Sequence, residues 1–174
     1  MSSTRVRASA LAGLLICLAA LPAPAGAQPV DEARVDAGLQ IYKVFGQCWA
    51  CHGWSGTGGL PDVIGDRNAG PPLTPTKLDR AQMIEMVSCG RPGGEHPPYA
   101  RDAWSRLRPC YGKTRADLKP EEQIPDVLVT LTEGQIESVV MFVQAFFQGQ
   151  AMNRGKCLRY FGVAQTIVCD PFAP

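Results

Sequence analysis

Two cysteines and one histidine lie close together in the segment CWACH, at residues 48–52. Thiols at positions i and i+3 face the same side of a helical turn, and the adjacent imidazole adds a nitrogen donor beside them. A cluster of this kind can bind a metal ion, act as a redox-active dithiol, form a structural disulfide or attach a cofactor. The rest of the sequence favours one of these uses.

The first three uses fit the remaining residues poorly. A zinc site needs a second pair of thiols or imidazoles at short spacing, and the chain has one other histidine, His96. A thioredoxin-like dithiol belongs in a βαβ setting, for which no pattern is present. A disulfide between Cys48 and Cys51 would not explain the histidine. The spacing CxxCH is the attachment pattern of c-type haem, in which both thiols bind the vinyl groups and His52 binds the iron.

The N-terminal residues predict an export signal. Arg5 and Arg7 precede the uncharged run ASALAGLLICLAALPAPAGA, which ends in a small-x-small cleavage pattern. Its apolar part, residues 8–21, is short for a bilayer span. We therefore expect residues 1–27 to be removed, leaving a periplasmic chain without a membrane span.

The charge balance of the mature chain limits its partners. Two of the 17 Lys and Arg residues and none of the 16 Asp and Glu residues lie in the signal, so the mature chain has 17 − 2 = 15 basic and 16 acidic residues. This near-neutral balance predicts neither nucleic acid nor an anionic membrane as partner.

Four cysteines remain after the signal and the CxxCH motif are set aside: Cys89, Cys110, Cys157 and Cys169. In an oxidising compartment such cysteines tend to pair, and four of them allow three pairings. Cys89–Cys110 and Cys157–Cys169 close the shortest loops. The first disulfide would close the loop that contains His96, and the second would cross-link a C-terminal extension.

Apolar periodicity predicts a mainly helical domain. From residue 31 an apolar stripe of Val35, Leu39, Tyr42 and Phe45 ends at Gly46, just before the cysteines. A short helix is expected near residues 79–88, with Asp79 as its cap.

A final helix is expected near residues 133–148. Thr132 and Gln135 fit a capping box at its start, and Gly149 can end it. Its buried face is predicted to be Ile136, Val139, Val140, Val143, Phe146 and Phe147. Residues 53–76 and 91–125 are rich in Gly and Pro and are expected to be loops. The predicted organisation is a signal peptide at 1–27, one domain at 28–150 and an extension at 151–174.

The order of these features resembles that of class I c-type cytochromes. That family has an N-terminal helix leading into CxxCHG, a Gly-Pro-x-Leu turn, a short helix, a loop with a methionine before proline, and a C-terminal helix that crosses the first. This chain has CWACHG, then GPPL at residues 70–73, then the two later helices, so the resemblance covers residues 31–148. It implies an all-α, cytochrome c-like fold with few helices and long loops around one covalently attached haem.

The resemblance also implies roles for two further residues. The carbonyl of Pro71 is expected to accept the Nδ1 hydrogen of His52 and so orient the ring. Gly38 is expected where the first and last helices cross.

The chain departs from the family on the other side of the iron. The loop GRPGGEHPPY has His96 where the family has methionine before proline, so His96 is predicted to be the distal iron ligand. Two alternatives stay open. One is a methionine, from among Met83, Met86, Met141 and Met152, and the other is an open or water-bound position.

These features predict a periplasmic mono-haem cytochrome that is an electron carrier rather than an enzyme. Its expected partners are redox proteins such as a dehydrogenase, an oxidase or other cytochromes. One alternative is the electron-accepting subunit of a periplasmic dehydrogenase. The other is a haem-based peroxidase or gas sensor with a labile distal ligand, for which Arg91 and Glu95 would supply polar groups.

Overall fold

The computed structural model describes residues 31–59, 70–126, 129–162 and 167–172. The predicted export signal at residues 1–27 lies outside these residues. The described chain forms the helices α1 (Glu32–Gln40), α2 (Trp49–His52), α3 (Arg80–Cys89), α4 (Glu133–Phe146) and α5 (Arg154–Phe161), a π-helical turn (Ile41–Phe45) that continues α1, and 3₁₀ turns at Arg115–Asp117 and Ile167–Cys169. It contains two isolated β-bridges and no strand. The all-α prediction is confirmed for this part of the chain.

Side-chain caps fix where the long helices begin. Asp79 and Gln82 form a reciprocal capping box at the start of α3, and Thr132 and Gln135 form another at the start of α4. Each cap satisfies backbone N–H groups that have no partner within the helix, and such a cap contributes about 1 kcal/mol. Both predicted caps are confirmed.

Helices α1 and α4 cross at Gly38, as predicted. A Cβ atom at Gly38 would overlap the carbonyl oxygen of Ser138 and lie 2.7 Å from the Cβ of Phe142. Only glycine therefore allows the two backbones to approach this closely. Beside the crossing, the buried rings of Tyr42, Phe142 and Phe147 pack against one another with centroids 5.3 Å apart.

The end of α1 differs from the predicted stripe. Val35, Leu39 and Tyr42 are buried, but Phe45 is 52% exposed and Ile41 is buried in its place. The chain winds as a π turn from Ile41, with the N–H of Gly46 donating to the carbonyl of Ile41 five residues earlier. A π turn rotates less per residue than an α-helix, so the 3.6-residue period fails after Tyr42.

The predicted disulfide pairing is present. Cys89 bonds to Cys110, and Cys157 bonds to Cys169. The first bond lies in a small second core with Trp104 and Ile124. It joins the C-terminal end of α3 to the long loop that follows.

The C-terminal extension packs against the main core. Tyr160 belongs to the main apolar cluster, and its carbonyl accepts a hydrogen bond of 2.6 Å from Lys43 Nζ. Trp54, just after the CxxCH motif, packs against the rings of Tyr160, Phe161 and Phe172. The extension therefore covers the segment that follows the motif.

None of the helices in the described residues is both long enough and apolar enough to cross a membrane.

Candidate functional site

A large cavity lies between α3, α4 and the loops around the CxxCH motif. Its volume is about 660 Å³, within the roughly 300–1,000 Å³ typical of cofactor sites. Its helical walls are apolar and consist of Met83, Met86, Val87, Val139, Val140 and Val143. The thiols of Cys48 and Cys51 and the rings of His52 and His96 line it as well. All four residues predicted to hold a cofactor therefore meet at one cavity.

His52 is fixed by the loop opposite the motif. Its Nδ1 lies 2.8 Å from the carbonyl oxygen of Pro71. A carbonyl only accepts hydrogen bonds, so Nδ1 carries the hydrogen and Nε2 keeps a free lone pair. Burial lowers the pKa of His52, and the Pro71 hydrogen bond opposes that shift. The contact with Pro71 that the resemblance implied is present.

Gly70 shapes the same contact. A Cβ atom at Gly70 would lie 2.9 Å from Cε1 and Nδ1 of His52, closer than real Cβ contacts. Its N–H donates to the carbonyl of Cys51 over 2.7 Å. The turn therefore needs glycine at this position to reach the imidazole, which explains why glycine precedes Pro71.

His96 is held in a similar way on the other side of the cavity. Its Nδ1 lies 3.1 Å from the carbonyl oxygen of Pro97, so Nε2 is again the nitrogen with a free lone pair. Burial, with a smaller contribution from His52, lowers the pKa of His96 to about 4. The ring is therefore neutral at pH 7 and able to bind a metal.

The backbone of the His96 loop folds tightly against the end of α3. The carbonyl of His96 accepts a hydrogen bond of 3.0 Å from the N–H of Arg91. Gly90 has φ +67°, and a Cβ atom there would lie 2.7 Å from the carbonyl carbon of Pro97. Glycine at this position is required both by the backbone conformation and by the closeness of the loop.

The ring centroids of His52 and His96 lie 6.3 Å apart, and the ring planes are inclined by 53°. An imidazole nitrogen binds a transition metal at about 2 Å. The centroid of each ring lies roughly 1.2 Å beyond that nitrogen, so two imidazoles on opposite sides of one metal have centroids about 6.4 Å apart. The spacing of the two rings matches this value.

The two rings supply two donors only. Within the described ranges, no three His, Cys, Asp or Glu side chains converge so that they could hold a metal ion by themselves. A metal ion between His52 and His96 would need further donors from outside these side chains.

Cys48 and Cys51 both carry free thiols, although they are only three residues apart. Cys48 is half-buried, and burial raises its pKa to about 12. Burial also raises the pKa of the exposed Cys51 thiol. A Cβ atom at Gly46 would lie 3.1 Å from Cys48 Sγ, so the turn before the motif packs directly against this thiol. The pair is placed at the cavity as thiols and not as a disulfide.

Tyr99 joins the two sides of the cavity, and sequence reasoning missed it. Its hydroxyl donates to the carbonyl of Gly46 over 2.7 Å, and its ring lies edge-on to His96 with centroids 6.1 Å apart. It thus connects the His96 loop to the turn that precedes Cys48. Its position three residues after His96 was the one available signal, and nothing local distinguishes it from any other loop tyrosine.

The methionines differ in their relation to the cavity. Met83 and Met86 line it, and the sulfur of Met86 lies 3.7 Å from the hydroxyl oxygen of Tyr111. Met141 instead lines a separate hollow between α1, α4 and α5, and Met152 packs on the main core. The two polar residues considered for a labile distal site, Arg91 and Glu95, also line the cavity and are exposed.

No protein-family model, curated protein or solved structure matches this chain.

Proposed function

We propose that this chain is a periplasmic mono-haem c-type cytochrome with a cytochrome c-like fold, and that it carries electrons between redox partner proteins. One observation carries the proposal. The rings of His52 and His96 lie at one apolar cavity with centroids 6.3 Å apart, a separation that would suit two imidazole donors to one iron, and Cys48 and Cys51 line the same cavity.

The residues present fit a covalently bound haem. Cys48 and Cys51 would each hold the haem through a thioether bond, formed by addition of the S–H group across one vinyl double bond. The addition consumes no oxidant and releases no atom. His52, oriented by Pro71, would bind the iron on the proximal side, and His96 would bind it on the distal side.

When bound, the haem supplies a one-electron couple. The protein contributes two neutral imidazoles fixed by carbonyl hydrogen bonds, together with apolar helical walls. Because both imidazoles are held by carbonyl hydrogen bonds, they would move little when an electron is gained or lost, which would keep the reorganisation small. This arrangement supports an electron carrier more than a peroxidase or gas sensor, because in those the distal position must open.

Apolar side chains around the attachment motif offer a place for partner proteins. Val44 is 54% exposed, Phe45 52% and Trp49 37%. All three lie within eight positions of Cys51 along the sequence. The indole of Trp49 is held by a hydrogen bond of 3.0 Å to the carbonyl of Lys43. Transient docking here would bring a partner dehydrogenase, oxidase or cytochrome close to the attached haem.

Spectroscopy of the distal ligand tests the proposal. The oxidised wild-type protein should be low-spin and lack the near-infrared sulfur-to-iron charge-transfer band. His96→Ala should become high-spin or bind added imidazole, and His96→Met should gain the sulfur band and a higher midpoint potential. Met86→Leu is the matched control, since it changes another cavity residue and should leave all these properties unchanged.

Two outcomes would contradict the ligand assignment. A sulfur band in the wild-type protein that disappears in Met86→Leu would assign the distal position to Met86. Strong carbon monoxide binding by the reduced wild-type protein would show an open or labile position, and would favour the peroxidase or gas-sensor function.

A further inference from the structure

Most hydrogen-bond donors around the cavity are already engaged. The hydroxyl of Tyr42 donates to the carbonyl of Gly53 over 2.6 Å, and that of Tyr99 donates to Gly46. The Nδ1 hydrogens of His52 and His96 are likewise bound to carbonyls. These groups cannot bind an anion in the cavity without losing a bond that fixes the site.

Arg91 is different. It is the one Lys or Arg residue among the described residues that line the cavity. In the described part of the chain no carboxylate lies within ion-pairing distance of its guanidinium, and the neighbouring Glu95 is not paired with it. Its positive charge at the cavity is therefore not neutralised by an acidic side chain of the described protein.

The aliphatic part of the Arg91 side chain packs against the same turn that carries His96. The N–H of Arg91 donates to the carbonyl of His96 and its own carbonyl accepts from the N–H of Gly94, each over 3.0 Å. A Cβ atom at Gly94 would lie 3.1 Å from Cδ and 3.2 Å from Cγ of Arg91. Glycine at position 94 thus leaves room for the methylene groups of Arg91 to lie against the turn.

Haem carries two carboxylates, and a carboxylate placed at the edge of an apolar cavity needs a charged or hydrogen-bonding partner. A guanidinium binds a carboxylate through two parallel hydrogen bonds, which fixes orientation as well as charge. We propose that Arg91 binds one haem carboxylate and so ties the cofactor to the turn that holds the distal ligand. This inference rests on the proposed haem-binding function.

The pairing has a measurable consequence. A positive charge beside the haem favours the reduced iron over the oxidised iron, because the oxidised form carries one more positive charge. Arg91→Gln should therefore lower the midpoint potential of the holoprotein measured in an optical redox titration. Arg91→Lys keeps the charge and should remain closer to wild type than Arg91→Gln does. Arg106→Gln is the control, because Arg106 is exposed, lies outside the cavity and is also unpaired among the described residues.

The outcomes separate the inference from the function on which it rests. A wild-type protein without covalent haem would overturn both. If all variants carry covalent, low-spin haem and Arg91→Gln has the same potential as wild type and Arg106→Gln, the role of Arg91 is wrong and the cytochrome function stands. An Arg91→Lys potential as low as that of Arg91→Gln would also overturn it. A potential lowered in Arg91→Gln alone supports the pairing.

Discussion

Removing the hydroxyl of Tyr99 should make His96, the proposed distal ligand, easier to displace. Tyr99→Phe deletes the 2.7 Å hydrogen bond to Gly46 while keeping the ring against His96 and the backbone bonds of residue 99 to Val87 and Leu131. That bond joins the loop that carries His96 to the turn before the CxxCH motif. An opening of the loop that moves Tyr99 away from Gly46 would break this bond.

The size of the effect follows from the energy of one hydrogen bond. A net contribution of about 0.5–1.5 kcal/mol corresponds to a roughly 2-fold to 13-fold larger fraction of molecules with the loop open. An external ligand such as imidazole binds only when the distal position is free, so its apparent dissociation constant should fall by the same factor. Spectral titration of the oxidised holoprotein with imidazole measures this constant.

Tyr111→Phe is the matched control. The hydroxyl of Tyr111 also donates to a backbone carbonyl, that of Gly90, over 2.8 Å. The Cys89–Cys110 disulfide already joins the same two segments covalently, so loss of this hydrogen bond should not open the loop. An unchanged imidazole constant in Tyr99→Phe, or equal changes in both variants, would refute this role of Tyr99.

Three further changes test other parts of the structure. Gly38→Ala should lower the free energy of unfolding in urea by about 1–3 kcal/mol, because its methyl group would enter the helix crossing. Gly134→Ala, where a Cβ atom would meet nothing within 4 Å, should not destabilise, and equal losses in both would contradict the crossing. Cys51→Ser should leave one thioether bond and shift the pyridine haemochrome band, and an unshifted band would be inconsistent with attachment at Cys51. Replacing Cys89 and Cys110 together by serine should lower the free energy of unfolding by about 3 kcal/mol and lower the imidazole dissociation constant, because the disulfide would no longer restrain the His96 loop. Free thiols at both positions in the wild-type protein would show that no disulfide restrains this loop.

Local patterns in the sequence predicted much of the scaffold. The caps at Asp79 and Thr132 depend on residues three positions apart, and both are present. The pairing of the four non-motif cysteines followed from loop length, and the structure contains that pairing. The contact between His52 and Pro71 came from a resemblance whose motifs occur in the same order along this chain.

Other features depend on distant parts of the chain and could not be predicted in this way. The stripe of α1 placed Phe45 in the core because a constant helical period was assumed, and the π turn at Ile41–Phe45 breaks that period. Tyr99 connects to Gly46 across 53 positions, and no local pattern encodes such a contact. The need for glycine at position 70 depends on the contact of its backbone with the ring of His52, 18 positions earlier, and no local pattern encodes that contact either.

Covalent haem is the central claim, and one measurement tests it most directly. The purified mature protein is extracted with acidified acetone, which removes non-covalent haem, and the pyridine haemochrome spectrum of the remaining polypeptide is recorded. The spectrum should show haem c at one haem per chain, with the band position of two thioether bonds. A polypeptide without a haem band, or haem recovered entirely in the acetone, would contradict attachment at Cys48 and Cys51 and with it the proposed function.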